Sequence, residues 1–179
     1  MNTKKQCEKE LREYRSYFYQ FDFPVVVYLH WTAGKYFTTF HEYHYCIDGD
    51  GEIISTKPLN KVPSATWNRN TGSIAISLCC CYDATTADLG AYPPTDAQIE
   101  SMAQLMAAIS NVFDIPIDSD HFMTHGEVAD IDGYGIHDTD PDMRWDLHIL
   151  HTGDEWGSGG DILRAKALWY QNRERGIYE

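Results

Sequence analysis

Two nearly uninterrupted apolar segments constrain the fold of this chain most strongly. Residues Val25 to Leu29 are all apolar and mostly β-branched, and residues 73–81 form a second, largely apolar run. Such runs are typical of strands covered on both faces, because a strand with one wet face alternates apolar and polar residues. We therefore predict two central strands of a buried sheet.

Helical patterns alternate with these strands. Residues 4–19 place apolar side chains at steps of four, three and four, the spacing of an amphipathic helix. A Thr-x-x-Gln capping box at Thr95 opens a second helix, and residues 161–173 predict a last one. Segments 43–47 and 52–55 flank an Asp-Gly-Asp-Gly turn and predict a hairpin. The whole pattern predicts an α/β fold, a central mixed β-sheet flanked by helices.

The length of 179 residues is that of one ordinary domain, and no repeat or Pro-rich or Ser-rich linker divides it. We expect a single domain overall, in which residues 1–23 form an N-terminal helical extension to residues 24–179. The polar stretch over residues 60–72 predicts an irregular surface loop.

Charge and composition exclude several classes of partner. The 14 Lys and Arg residues against 27 Asp and Glu give a net charge of −13, which repels nucleic-acid phosphates and anionic lipids. No apolar stretch reaches the roughly 18–20 residues of a membrane span, and the N-terminal residues lack the apolar segment of a secretory signal. We therefore expect no nucleic-acid partner, no membrane insertion, and synthesis in the cytoplasm. Five cysteines, three of them consecutive, predict buried reduced thiols.

Histidines follow two predicted strands directly. His30 comes after the first apolar run, and His125 leaves a short strand predicted over residues 121–124 and opens a loop. An acidic run from Asp130 to Asp146 follows. Two neutral imidazoles and one carboxylate make a three-ligand set that holds zinc and leaves a fourth position for water, whose pKa zinc lowers towards about 7. For either histidine alone, a hydrogen-bonded structural role is the alternative.

Four segments in order carry a resemblance to a known family. They are residues 25–34 (Val-Val-Val-Tyr-Leu-His-Trp-Thr-Ala-Gly), 43–53 (Tyr-His-Tyr-Cys-Ile-Asp-Gly-Asp-Gly-Glu-Ile), 70–78 (Asn-Thr-Gly-Ser-Ile-Ala-Ile-Ser-Leu) and 124–127 (Thr-His-Gly-Glu). Together they resemble the zinc-dependent N-acetylmuramoyl-L-alanine amidases of the type-2 amidase and peptidoglycan recognition protein superfamily. The resemblance implies a phage endolysin-like enzyme that uses Zn²⁺ and acts on the cell wall after release. Its catalytic domain would be residues 24–179, and its substrate the amide bond between N-acetylmuramic acid and L-alanine in peptidoglycan.

The resemblance also implies the ligands. His30 and His125 correspond to the two histidine ligands of the family. The third ligand there is an aspartate or cysteine two positions after a lysine, and Arg144-Trp-Asp keeps that spacing with Asp146. We therefore expect Asp146 as the third ligand. Asp140, which is followed by proline, is the alternative.

Catalytic roles follow from the same resemblance. Arg144 stands at the lysine position and is expected to stabilise the negative charge that develops on the carbonyl oxygen. Tyr43 matches a tyrosine that some members place beside the metal, although core packing is an equal alternative. Recycling-type members carry a catalytic glutamate where Ser77 stands here. Tyr43 or Glu127 is then the candidate proton acceptor, and Glu127 is alternatively a residue that orients a histidine.

A protein that binds muropeptides on the same scaffold without cutting them is the second hypothesis for function. Such members typically lack the third ligand, so an aspartate at that position favours the enzyme. Three aromatic residues are candidates for lining a substrate groove: Trp31, Trp67 and Tyr92. For each of them, packing within the protein is the alternative.

Overall fold

A five-stranded sheet forms the centre of the computed structural model, which describes residues 4–136 and 144–177. Its strands are β1 (Val27–Trp31), β2 (Tyr45–Ile47), β3 (Ile53–Ser55), β4 (Ile74–Leu78) and β5 (Phe122–Thr124). They lie in the order β3-β2-β4-β1-β5. Only the β2–β3 hairpin is antiparallel among these pairs, and the other three pairs are parallel. The predicted fold class, a mixed sheet flanked by helices, is confirmed.

The helices of the described residues are α1 (Lys4–Glu13), α2 (Arg15–Phe18), α3 (Asp96–Phe113), α4 (His125–Asp132) and α5 (Gly159–Glu174). The capping box predicted at Thr95 is present and starts α3. The single helix predicted over residues 4–19 is instead divided at Tyr14, whose ψ of 4° departs from the helical value near −42°.

The prediction of a loop after His125 is wrong, because α4 begins there. Thr124 Oγ1 accepts a hydrogen bond from Glu127 N–H at 3.1 Å, and a Glu127 carboxylate oxygen accepts one from Thr124 N–H at 2.8 Å. This is a complete capping box, which satisfies two amide groups at the start of the helix. His125 is therefore the first residue of a helix rather than of an irregular segment.

The two faces of the sheet have different coverings. Helix α3 packs on β2 and β4, with α1 and α5 against it, and α4 packs on β1 and β5. Successive side chains of a strand point to opposite faces. In β1, Leu29 and Trp31 belong to the main core under α3, whereas Tyr28 belongs to a smaller cluster with Val128 of α4. By the same alternation His30 lies on the α4 side.

Both central strands are buried along their full length, as the apolar runs predict. The five cysteines are buried and unpaired with one another in the structure, as expected of buried thiols. Over residues 4–136 and 144–177, no helix has both the length and the apolar character that crossing a membrane requires.

Candidate metal centre and active site

Three predicted ligands lie together at the ends of neighbouring strands. β1 and β5 run parallel with Leu29 opposite Thr124, so the next residues, His30 and His125, come side by side. Asp146 approaches them from a later turn, and all three are buried, with exposures of 1%, 7% and 8%. One ligand atom from each lies within 4.8 Å of the other two.

The spacing of these atoms fits a tetrahedral ion. His30 Nδ1 lies 3.6 Å from Asp146 Oδ2, and His125 Nδ1 lies 3.3 Å from the same oxygen. Donor atoms about 2.1 Å from a tetrahedral zinc ion would lie about 3.4 Å apart. His30 Nδ1 is also buried without a hydrogen-bond partner among the described residues. Because buried polar atoms are normally paired, such a nitrogen fits a ligand that faces a metal ion.

Burial sets the charge states of this cluster. Removal from water lowers the pKa of His30 to about 4, so its imidazole is neutral near pH 7. Burial alone would raise the pKa of Asp146, but its interactions with His125 and His30 hold that pKa well below the ordinary value. A neutral imidazole and an ionised carboxylate are the forms in which these side chains bind zinc. The residues present therefore fit a zinc ion.

The second nitrogen of His30 contacts a loop residue that sequence reasoning missed. His30 Nε2 lies 3.1 Å from Thr66 Oγ1, and the contact is buried. Residues 62–71, which we call the cleft loop, carry Thr66 within the stretch predicted as an irregular surface loop. No local pattern around Thr66 signals this contact, because it depends on the tertiary approach of the loop to β1.

A constrained turn presents Asp146. The next residue, Leu147, has a φ of 62°, a left-handed conformation that is uncommon outside glycine. The Asp146 carbonyl accepts a hydrogen bond from Gly126 N–H at 3.1 Å. Next to Asp146, the ring of Trp145 packs edge-on against Trp31 with centroids 4.6 Å apart. These contacts fix the third ligand relative to both histidines.

The alternative third ligand, Asp140, lies outside the described residues. The comparison between Asp146 and Asp140 therefore stays a prediction for experiment.

Both carboxylate oxygens of Glu127 are engaged in the structure. Oε2 accepts hydrogen bonds from Thr124 N–H at 2.8 Å and from Arg164 at 3.0 Å, and Oε1 accepts one from Arg164 at 2.7 Å. Arg164 is a buried residue of α5 that sequence reasoning missed. The pair ties the first turn of α4, and with it His125, to the C-terminal helix.

Tyr43 lies beside the cluster, with its ring centroid 5.2 Å from that of His30. Burial, and next the negative charge of Asp146, raise the pKa of Tyr43 far above its ordinary value. The phenol therefore keeps its proton at neutral pH. Ser77 is buried opposite His30 in the β1–β4 register and so faces the same side of the sheet.

A cleft of about 950 Å³ opens beside His125. The cleft loop forms one wall, and residues 132–134 with Arg144 line the other. The walls are joined by Arg69, which donates two hydrogen bonds to Asp132 at 2.7 and 2.6 Å. Arg144 thus borders the same space as His125, which is compatible with contact to a bound substrate.

Of the three aromatic residues predicted either to line a substrate groove or to pack within the protein, one lines the cleft and two pack against other aromatic rings. Trp67 lines the cleft and approaches Tyr134 edge-on, with ring centroids 6.5 Å apart. Trp31 is buried against Trp145, and Tyr92 packs against Tyr36. Only Trp67 of the three is placed to contact a ligand in this cleft.

Fold and site together define an α/β protein with a candidate three-ligand metal centre beside an open cleft. The chain belongs to the N-acetylmuramoyl-L-alanine amidase family, whose sequence profile matches residues 20–146. That range contains His30, His125 and Asp146. Membership of this family supports amidase activity on peptidoglycan.

Solved structures similar to this chain include two endolysins. One is the Ph2119 endolysin of a Thermus scotoductus bacteriophage, at 22% identity and a TM-score of 0.44 over 57% of this chain and 71% of that chain. The other is an endolysin N-acetylmuramoyl-L-alanine amidase from Clostridium intestinale, at 21% identity and a TM-score of 0.44 over 60% of this chain and 71% of that chain. No curated protein matches the chain.

Proposed function

We propose that this protein is a zinc-dependent N-acetylmuramoyl-L-alanine amidase that hydrolyses the bond between N-acetylmuramic acid and L-alanine. We further propose that it is a phage or prophage endolysin, made in the cytoplasm and acting on the wall after release. The observation that carries the enzymatic part is the convergence of His30, His125 and Asp146 beside a cleft. Three protein ligands leave one position open, which is typical of catalytic rather than structural zinc.

The proposed mechanism assigns a task to each part of the site. His30, His125 and Asp146 would hold the zinc ion, which would supply a Lewis acid and a water molecule of pKa near 7. The cleft beside His125 binds the glycan and stem peptide and orients the scissile amide. Arg144, at the cleft wall, contributes positive charge towards the oxygen that becomes negative.

Tyr43 is a hydrogen-bond donor in this proposal rather than a proton acceptor. Its raised pKa keeps the hydroxyl neutral and makes it a poor source of protons, so Tyr43 Oη holds its proton and can offer it as a hydrogen bond to the substrate. Glu127 is assigned to positioning, because both of its oxygens are bound to Thr124 and Arg164. It keeps the first turn of α4 in place and acts on the reaction only through His125.

A second candidate function is muropeptide binding without cleavage, although the absence of a glutamate at Ser77 bears on the subfamily more than on the activity. Ser77 of β4 lies opposite His30 of β1 in the strand register. It occupies the position where recycling-type members carry a catalytic glutamate. A serine at this place cannot take up a proton at neutral pH as a glutamate does. The carboxylate of Asp146 at the third ligand position supports the enzyme instead.

Zinc content and bond cleavage test the proposal together. We expect about one zinc per chain and release of L-alanine N-termini from purified peptidoglycan, both lost in His30→Ala and His125→Ala. His151→Ala is the matched control, since this histidine is exposed and outside the cluster. Asp146→Ala should abolish zinc binding, whereas Asp140→Ala should not.

Two results would overturn the proposal. Histidine variants that keep both zinc and turnover would exclude the proposed ligands. A parent protein that binds zinc and muropeptide but releases no N-terminal alanine would replace the enzyme with the binding protein.

A further inference from the structure

We propose that Thr66 is a positioning residue that selects the metal-binding tautomer of His30. Its hydroxyl accepts the Nε2 proton of the imidazole and so leaves the Nδ1 lone pair directed at the other two ligands. This inference rests on the proposed metal centre and adds to it a residue of the cleft loop. It gives that loop a task at the metal site in addition to forming a wall of the cleft.

The contact between Thr66 and His30 is buried, at the edge of the cleft that Thr66 also lines. Thr66 Oγ1 lies 3.1 Å from His30 Nε2, and each residue is 1% exposed. A buried N–H that loses its acceptor cannot turn to bulk solvent, and leaving it unsatisfied is unfavourable. Among the described residues, the Thr66 hydroxyl is the acceptor that is placed to receive a proton from His30 Nε2. The tautomer of His30 with its proton on Nε2 therefore depends on Thr66.

A second acceptor competes for the same proton. Neutral imidazole carries one proton, on Nδ1 or on Nε2. Asp146 Oδ2 lies 3.6 Å from His30 Nδ1 and attracts the proton to that side. A proton on Nδ1 would block the nitrogen that faces the cluster, so the site needs an acceptor on the opposite nitrogen. In this proposal Thr66 supplies it through an oxygen lone pair, since a hydroxyl can accept as well as donate, and the hydrogen bond of the far nitrogen then sets which nitrogen is left to bind metal.

His44 is a buried histidine of this chain that is not a predicted metal ligand, and it serves as a comparison for His30. Its Nε2 lies 2.8 Å from the Lys61 carbonyl and donates to it, and its Nδ1 accepts from Ala75 N–H at 3.1 Å. Both nitrogens of His44 are therefore occupied by backbone groups. His30 differs, because Nε2 has a side-chain hydrogen-bond partner and Nδ1 has no hydrogen bond among the described residues, with only Asp146 Oδ2 nearby at 3.6 Å.

Asn70 fixes the position of Thr66. The Asn70 side-chain oxygen accepts hydrogen bonds from the N–H groups of Ala65 and Thr66 at 3.0 and 2.9 Å. The Asn70 carbonyl in turn accepts from the Ser73 hydroxyl at 2.8 Å, immediately before β4. The turn that carries Thr66 is thus attached to the strand beside β1. The backbone around Thr66 is therefore fixed by hydrogen bonds, and its hydroxyl is directed at His30 from a defined position.

The tautomer itself is the direct test and needs no metal. Imidazole nitrogen spectra of the metal-free parent, labelled with ¹⁵N and assigned with His30→Gln, should show His30 protonated at Nε2. Zinc affinity, measured by competition with a chelator, should fall about 10–100-fold in Thr66→Val. Thr66→Ser keeps the hydroxyl and should restore affinity close to the parent. Thr86→Val is the control, since this threonine is exposed.

The outcomes separate this inference from the proposed function. A parent protonated at Nδ1, or a folded Thr66→Val with parental zinc affinity, would overturn the role of Thr66. If Thr66→Val does not fold, the parental spectrum still decides between the two tautomers. A parent protonated at Nε2 that binds no zinc would support the tautomer assignment and refute the metal centre.

Discussion

Glu127→Gln separates an anchoring role from a catalytic one. Glutamine has the same shape and keeps an oxygen for Thr124 N–H, but it loses the charge opposite Arg164. The Arg164 side chain is 9% exposed and retains Asp161, which is 84% exposed. Removing one partner of a fully buried pair costs about 3–5 kcal/mol. Because one charged partner and one acceptor remain, we expect a loss of about 1–3 kcal/mol in the free energy of unfolding.

Turnover provides the second half of this test. If Glu127 only positions His125, kcat of the folded variant should stay within about tenfold of the parent, whereas loss of a general base costs about 10²–10⁴-fold. Urea unfolding followed by circular dichroism gives the stability, and release of N-terminal alanine gives kcat. Glu155→Gln, at an exposed glutamate, is the control. A variant with parental stability and a kcat lowered 100-fold or more would refute the anchoring role.

Two further predictions concern a charge at the cleft and a buried histidine. Arg144→Ala should keep its zinc but lower kcat by about 10²–10³-fold, the usual effect of losing one oxyanion donor, and a parallel loss of zinc in equilibrium dialysis would contradict this role. Burial lowers the pKa of His44 from 6.5 to about 4, so as pH falls the unfolded chain takes up the proton first. The stability that neutral His44 contributes is complete above pH 6.5 and is lost as pH falls towards about 4, an effect of about 3 kcal/mol. In urea titrations across this range the parent should lose more stability than His44→Gln, and parallel curves would contradict the prediction.

The parts of the fold that were predictable are those with a local physical signature. Strands β1 and β4 follow from apolar runs, because burial on both faces favours apolar residues at nearly every position, with His30 and Ser77 as the polar exceptions. Helix α3 follows from its capping box and a long apolar face. Helix α4 was missed although Thr124 and Glu127 form a capping box, since eight residues give too short an apolar period to distinguish it from a loop.

The grouping of the three proposed ligands was predictable, and the residues that support them were not. His30 and His125 stand in segments that resemble a family, Asp146 follows Arg144 at the family's spacing, and the structure places the three together; their role as ligands stays a prediction. Thr66 and Arg164 carry no such signature. Arg164 meets Glu127 across 37 positions of sequence, and Thr66 meets His30 across 36. Contacts of this kind depend on packing that no local pattern encodes, and they fix the geometry of the ligands.

The alternation of side chains along β1 connects the proposed ligand cluster to the main core. Leu29 and Trp31 point into the main core, and His30, between them, points to the other face. Trp145 extends that core to the residue before Asp146. Two ligands are therefore each bonded in sequence to a core aromatic residue, and their separation is set by close packing. The cleft walls are joined by the Arg69–Asp132 pair, and Trp67 on one wall is exposed, so substitution of Trp67 can change substrate contacts while the Thr66 contact to His30 is kept.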